Sequence, residues 1–92
     1  MKWEKFNLGK TMKEDLLETA KNDKYKFQAQ IIKKLHIFSD KLFGDFDVLL
    51  TVFNHKGEQI ETYSLEGMNG TFKGAKSQLS KFKEKALVKY LV

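Results

Sequence analysis

The chain has 92 residues, of which 41% are hydrophobic and 32% are charged, enough for one modest core and too apolar for a disordered chain. Its 17 lysines, with no arginine, outnumber 12 acidic residues, and the net charge is +5. The lack of cysteine excludes disulfides, zinc–thiolate sites and thiol catalysis, and the lack of arginine argues against sequence-specific DNA recognition. We expect one small domain over residues 1–92, in the cytoplasm, with no signal peptide and no membrane span.

The first half of the chain is predicted to be helical. Thr11 and Glu14 have the spacing of a capping box, which satisfies the free backbone N–H groups at a helix start. Further on, apolar residues recur every three or four positions, the period of one helix face. These residues are Phe27, Ile31, Leu35, Phe38 and Leu42. Because residues 22–23 allow a stop and a restart, the sequence predicts either two helices or one long bent helix over residues 11–43, ended by Gly44.

The middle of the chain predicts an antiparallel hairpin. Residues 45–53 are rich in β-branched and aromatic side chains, residues 54–57 fit a turn with a left-handed glycine, and residues 58–65 form the returning strand. In the expected register Val52 lies opposite Ile60. The other face would then hold Leu49, Thr51, Phe53, Tyr63 and Leu65. Since a two-stranded hairpin is not stable alone, another element must cover at least one face.

The last segment predicts an amphipathic helix that begins between residues 71 and 75. Its apolar residues again recur every three or four positions. They are Phe72, Ala75, Leu79, Phe82, Ala86 and Tyr90. The predicted fold is therefore α+β, with the order helix, helix, hairpin, helix (ααββα).

Charge is sorted by segment, which bears on function. Residues 1–44 carry ten lysines and six acids, residues 45–70 carry one lysine and five acids, and residues 71–92 carry six lysines and one acid. An acidic rim around aromatic side chains is typical of a protein-binding surface. The residues expected to form this surface are Asp47, Leu49, Phe53, Glu58, Glu61 and Tyr63. The competing interpretation is that these aromatic residues belong to the core, under the last helix.

The alternative function is non-specific binding of nucleic acid through lysine-rich helices, which would weaken as salt rises. The lysines expected to carry it are Lys33, Lys34, Lys76, Lys81 and Lys85. The lysines of the last segment are spread around their helix, however, whereas a nucleic-acid surface usually clusters them. Residues 70–77 begin like a phosphate-binding loop but miss the P-loop spacing by one residue. We therefore interpret them as a glycine-rich entry into a helix.

No arrangement of residues predicts catalysis, a cofactor or a metal site. His36 has Asp40 four residues later on the same predicted helix side, but no third ligand has a matching spacing. His55 falls in the predicted hairpin turn. No set of nucleophile, base and orienting residue has a familiar spacing. We therefore expect a protein that is not an enzyme.

Together these features favour a non-catalytic protein-binding module. Lysine-rich short proteins of this composition are common in AT-rich bacteria and in their phages and plasmids. This association suggests a phage or mobile-element inhibitor that occludes a host protein, in the manner of anti-CRISPR proteins. The expected partner is a protein, with nucleic acid as the alternative; a homodimer is compatible with the sequence, and a membrane partner is not expected.

Overall fold

The structure, a computed structural model, describes residues 2–6, 14–38 and 41–91. Within these residues, five strands form one antiparallel sheet whose spatial order is the order of the sequence, and one helix packs on it. The elements are β1 (Glu4–Lys5), β2 (Glu14–Lys21), β3 (Tyr25–Phe38), β4 (Lys41–Asn54), β5 (Gln59–Asn69) and α1 (Phe72–Tyr90). The fold is α+β, but its order of elements differs from the predicted one.

The prediction of two N-terminal helices, or of one long bent helix, over residues 11–43 is wrong. The described residues of this segment form β2, β3 and the beginning of β4, and the predicted cap Thr11 lies outside the described residues. A spacing of four fits a helix, but it also places Phe27 and Ile31 on the same face of a strand, because side chains of a strand alternate with a period of two. The deciding signal is the alternation over residues 25–31, apolar at odd positions and polar at even positions.

The break predicted near Asn22 is real, but it is a hairpin turn between β2 and β3. The Asn22 Oδ1 accepts hydrogen bonds from the N–H groups of Lys24 at 2.9 Å and Tyr25 at 2.7 Å. The Asn22 N–H donates to the Tyr25 carbonyl at 2.9 Å. An asparagine that satisfies the backbone of its own turn in this way closes a tight connection. Gly44, which was expected to end a helix, lies inside β4.

The turn between β4 and β5 agrees with the prediction. Gly57 has a φ of +84°, and its N–H donates to the Asn54 carbonyl at 3.0 Å. The Asn54 Oδ1 accepts from the N–H groups of Lys56 and Glu58, each at 3.0 Å. The left-handed glycine is thus confirmed, and the asparagine side chain fixes the turn around it.

The predicted register of this hairpin is wrong by one residue. Val52 lies opposite Glu61, not opposite Ile60, because the register shifts at Ile60 in a β-bulge. A slip of one residue moves every side chain of a strand to the other face. Tyr63 and Leu65 therefore face the helix, where both pack against the core.

The helix α1 begins at Phe72, within the predicted range. Thr71 caps it, since its Oγ1 accepts a hydrogen bond from the Gly74 N–H at 3.0 Å. Lys89 lies in the last turn, where a positive charge is favourable to the helix dipole. The buried positions recur every three or four residues, as the sequence predicts; they are Ala75, Leu79, Phe82 and Ala86.

The core lies between α1 and one face of the sheet. Alternate residues of β2, β3 and β4 supply the sheet side of it. These residues are Leu16, Ala20, Phe27, Ala29, Ile31, Phe46, Val48, Leu50 and Val52. Burial of each large apolar side chain contributes about 1.5–3 kcal/mol, so this contact is the main source of stability.

Lys83 ties the N-terminal strand and β2 to the helix. Its Nζ lies 2.5 Å from Glu18 Oε2 and 4.4 Å from the centroid of the Trp3 ring. The Trp3 ring in turn lies 6.3 Å from the ring of Phe27, centroid to centroid. A cation over an aromatic face, backed by a carboxylate, is favourable in such a partly buried place. This side-chain contact links α1, which packs mainly on β4, to the first two strands of the sheet.

We predict that Phe27→Ala lowers the free energy of unfolding by about 3–5 kcal/mol, because it opens a cavity in a fully buried site. The matched control is Phe53→Ala, on the neighbouring strand and the opposite face, where the ring is only partly buried. Its loss should be less than about half as large. Urea unfolding followed by circular dichroism measures both, and equal losses would contradict the assignment of faces.

Candidate functional site

The sheet has one covered face and one uncovered face. In the described part of the chain, α1 packs on the face that holds Phe27, Leu50 and the other buried residues, and no element packs on the opposite face. Residues that point to this opposite face alternate along each strand with the buried ones. We call it the open face.

Two rows of side chains without charge cross the middle of the open face. Their members lie opposite one another on β2, β3, β4 and β5. The first row is Thr19, Gln28, Thr51 and Thr62, and the second is Leu17, Gln30, Leu49 and Ser64. We call these eight residues the neutral patch. In a chain with 32% charged residues this is a marked depletion of charge, and charge depletion is the compositional mark of the core of a protein interface.

Asp47, one of the predicted contact residues, lies on the open face beyond the neutral patch but is 3% exposed. Its Oδ2 lies 2.5 Å from Lys34 Nζ, and its Oδ1 accepts a hydrogen bond from the Gly67 N–H at 2.9 Å. The hydrogen bond and the charge of Asp47 raise the pKa of Lys34. Asp47 therefore joins β3, β4 and β5 at one end of the sheet, which is a structural role.

The other predicted protein-binding residues fall on different faces. Leu49 and Phe53 lie on the open face and are partly buried. Glu58 is exposed in the turn between β4 and β5. Glu61 and Tyr63 lie on the covered face, because of the register shift in β5. The structure thus brings Leu49 and Phe53 onto one surface and separates them from Glu61 and Tyr63.

Glu61 joins β5 to the last turn of α1, and we call this contact the Glu61 clasp. Its Oε2 accepts hydrogen bonds from Lys89 Nζ at 2.7 Å and from the Tyr90 hydroxyl. The hydrogen bond from Lys89, followed by that from Tyr90, lowers the pKa of Glu61 to about 2. Beside it, the Tyr63 ring lies 5.9 Å from that of Phe82, centroid to centroid. These hairpin residues hold the helix on the sheet.

The five lysines predicted for nucleic-acid binding do not form one surface. Lys33 and Lys34 are consecutive in β3, so their side chains point to opposite faces of the sheet. Lys76 Nζ lies 5.7 Å from the centroid of an aromatic ring at the start of α1. Lys81 and Lys85 are exposed on the outer side of the helix. Their charges therefore do not add up to a continuous track.

The spacing of His36 and Asp40, from which the sequence predicts no metal site, cannot be examined in the described residues. His36 lies in β3, and Asp40 is outside the described part of the chain. Across residues 2–6, 14–38 and 41–91, no group of three or more potential ligands is placed to hold a metal ion. The same residues contain no helix with the length and apolar character needed to cross a bilayer.

Comparison with protein-family models, with curated proteins and with solved structures finds no match to this chain. Its function has therefore to be inferred from its own residues. The neutral patch is the feature that the sequence prediction missed, because half of its members lie in a segment that was expected to be helical. The polar residues Lys26, Gln28 and Gln30, which alternate with buried ones, were the signal that could have revealed it.

We predict that Glu61→Gln destabilises the protein at pH 7 and that this difference disappears in acid. A carboxyl whose pKa is lowered by folding stabilises the fold above its ordinary pKa of 4.5, and the stabilisation is lost as the pH falls through about 2. Thermal unfolding of both proteins between pH 7 and pH 2 measures the difference. Glu58→Gln, in the exposed turn, is the control and should leave the melting temperature unchanged. A constant difference at every pH would contradict the Glu61 clasp.

Proposed function

We propose that this chain is a non-catalytic protein-binding module that contacts its partner with the open face of the sheet. The observation that carries the proposal is the neutral patch. Eight adjacent side chains on four strands can be desolvated there without burying a charge, and burying an unpaired charge costs about 3–5 kcal/mol. Most of these side chains are already partly buried by their strand neighbours, so binding orders few new groups.

Leu49 and Phe53 supply the apolar part of the proposed contact on β4, and Leu17 adds to it on β2. Leu49 lies in the second row of the neutral patch, and Phe53 lies next to the first row, two residues beyond Thr51 on the same strand. Side chains near the centre of an interface, surrounded by contacts that exclude water, contribute most to binding. Of the six residues chosen from the sequence for this role, Leu49 and Phe53 therefore remain in the proposal, and Asp47, Glu58, Glu61 and Tyr63 do not.

The partner expected for this surface is a protein whose own contact region is largely uncharged. The threonine, serine and glutamine side chains of the patch offer both donors and acceptors, so they match polar neutral groups on the partner. A phage or mobile-element inhibitor of a host system would use the same face to occlude its target. We propose that the protein acts in the cytoplasm. A chain without cysteine forms no disulfides and so does not depend on an oxidising compartment.

Non-specific nucleic-acid binding receives less support. Such binding depends on many lysines near successive phosphates, and the five lysines proposed for it point in several directions. Lys34, moreover, is already engaged by Asp47. We therefore keep nucleic acid as an outcome that the following experiment can detect.

We predict that a photo-crosslinking amino acid at Thr51 captures one defined protein in the native host, and that the same amino acid at Ser80 does not. Thr51 lies in the neutral patch, whereas Ser80 is exposed on the outer side of α1. The captured protein is identified by mass spectrometry, purified and titrated against the unmodified chain. Thr51→Arg should weaken this binding about tenfold or more, since it buries a charge in the contact.

Ser80→Arg is the matched control, because it adds the same side chain outside the open face and should change the affinity less than about twofold. Equal losses in the two variants would contradict the proposed surface. Crosslinked material that disappears after nuclease treatment would replace the proposal with nucleic-acid binding. Circular dichroism of each variant separates loss of binding from loss of fold.

A further inference from the structure

The open face ends in a cleft that the proposed contact does not explain. The cleft has a volume of about 560 Å³ and lies where β1 and the ends of β2 and β3 meet. Its lining residues are Lys2, Glu4, Thr19, Ala20, Lys21 and Lys26. We call it the lysine cleft. It adjoins the neutral patch through Thr19, which belongs to both.

Two lysines of this cleft lie side by side on neighbouring strands. Lys21 lies directly opposite Lys26 across β2 and β3, and like charges in such a pair are destabilising. Within the described residues, no ion pair joins Lys2, Lys21 or Lys26 to an acidic side chain. Other lysines of the chain do have such partners, as Lys34 and Lys83 show. The repulsion between Lys21 and Lys26 therefore lowers the stability of the sheet, so stability does not explain why both lysines are present.

The lining of the cleft sets the charge of what it can bind. Three lysines and one glutamate give a local excess of positive charge, and the Thr19 hydroxyl adds a hydrogen-bond donor. Charge-assisted hydrogen bonds from ammonium groups to carboxylate oxygens are stronger than those between neutral groups. The cleft therefore favours an anionic group over a neutral one.

From this geometry we infer that the lysine cleft binds an acidic segment of the protein partner, an inference that rests on the proposed function. Lys26 lies directly opposite Phe53, so the cleft and the proposed contact are parts of one continuous surface. A partner that covers the neutral patch brings its next residues to the cleft. Carboxylates of aspartate or glutamate there relieve the repulsion between Lys21 and Lys26. Because the cleft lies at one end of the open face, it fixes which end of the partner's contact region lies over that end of the sheet.

An acidic protein segment fits the cleft better than a nucleic acid does. Among the described residues, the open-face lysines without an ion-pair partner lie at one end and are followed by two rows without charge, and Lys34 at the other end is engaged by Asp47. A nucleic acid carries a phosphate at every nucleotide and is held by a continuous positive track. Lys81 and Lys85 do not extend the track, because they lie on α1, on the other side of the sheet.

The test uses a fluorescein-labelled hexaglutamate peptide and measures its binding to the purified chain by fluorescence anisotropy at low salt. We expect weak binding that the double variant Lys21→Gln/Lys26→Gln reduces about three- to tenfold, the effect of losing two exposed ion pairs. The double variant Lys81→Gln/Lys85→Gln removes the same charge from the outer side of α1 and should leave the affinity unchanged. A labelled hexaglutamine peptide should not bind.

Three outcomes would overturn the inference. The first is that hexaglutamate does not bind, or that both double variants weaken its binding equally. Equal weakening would mean that the peptide responds to the net charge of the protein and not to the cleft. The second is a 20-nucleotide oligothymidylate, or inorganic phosphate, that binds more tightly than the peptide and depends on Lys21 and Lys26. The third is a dimer in sedimentation that the Lys21→Gln/Lys26→Gln variant dissociates, which would make a second copy the occupant. Because none of these measurements needs the partner, they can fail while crosslinking from Thr51 succeeds, and the reverse.

Discussion

The packing of α1 against alternate residues of β3 and β4 is the contact on which the rest of the structure depends. It buries every second side chain along each of these strands, among them Phe27 and Leu50, with exposed fractions near zero. Because the side chains of a strand alternate between its two faces, the residues between the buried ones must point to the open face. The same contact fixes the register, since a slip of one residue would place Gln28 and Thr51 under the helix and leave their polar groups without water. The open face is therefore a direct consequence of the core.

The two faces use charge differently. Some of the described acids serve the fold, since Glu18 and Glu61 hold lysines of α1 and Asp47 holds Lys34 and the Gly67 N–H. Two acids of the acidic middle of the sequence, Asp47 and Glu61, thus form contacts within the sheet and between the sheet and the helix. The surface proposed for a partner consists of the neutral patch, the apolar side chains beside it and the lysine cleft at its end. In the proposed contact, a partner that covers all three would be held by desolvation in the centre and guided by charge at one end.

Features that depend on neighbouring residues in the chain were predictable from the sequence. Features that depend on contacts between distant segments were not. Glycine and asparagine fixed the turn at Asn54–Gly57, and the spacing of apolar residues with a threonine cap fixed α1, because each depends on neighbours in the chain. The segment of β2 and β3 was misread because Phe27 and Ile31 satisfy the helical and the extended period equally. The bulge at Ile60 has no local signature, so Tyr63 was assigned to the wrong face. Leu49 and Phe53 were correctly chosen as neighbours on one face, but the neutral patch depends on pairings across four strands, which only the fold supplies.

A cysteine scan of β3 tests most directly that the sheet has one buried and one open face. The chain contains no cysteine, so single substitutions at positions 26 to 32 each introduce one reactive thiol, and cysteine is small enough for a buried site. The rate of alkylation by iodoacetamide under native conditions reports the accessibility of each position. We predict alternation with a period of two, fast at Lys26, Gln28, Gln30 and Ile32 and slow at Phe27, Ala29 and Ile31. A period near 3.6 residues, or uniform rates, would contradict the two-faced sheet and the binding surface inferred from it.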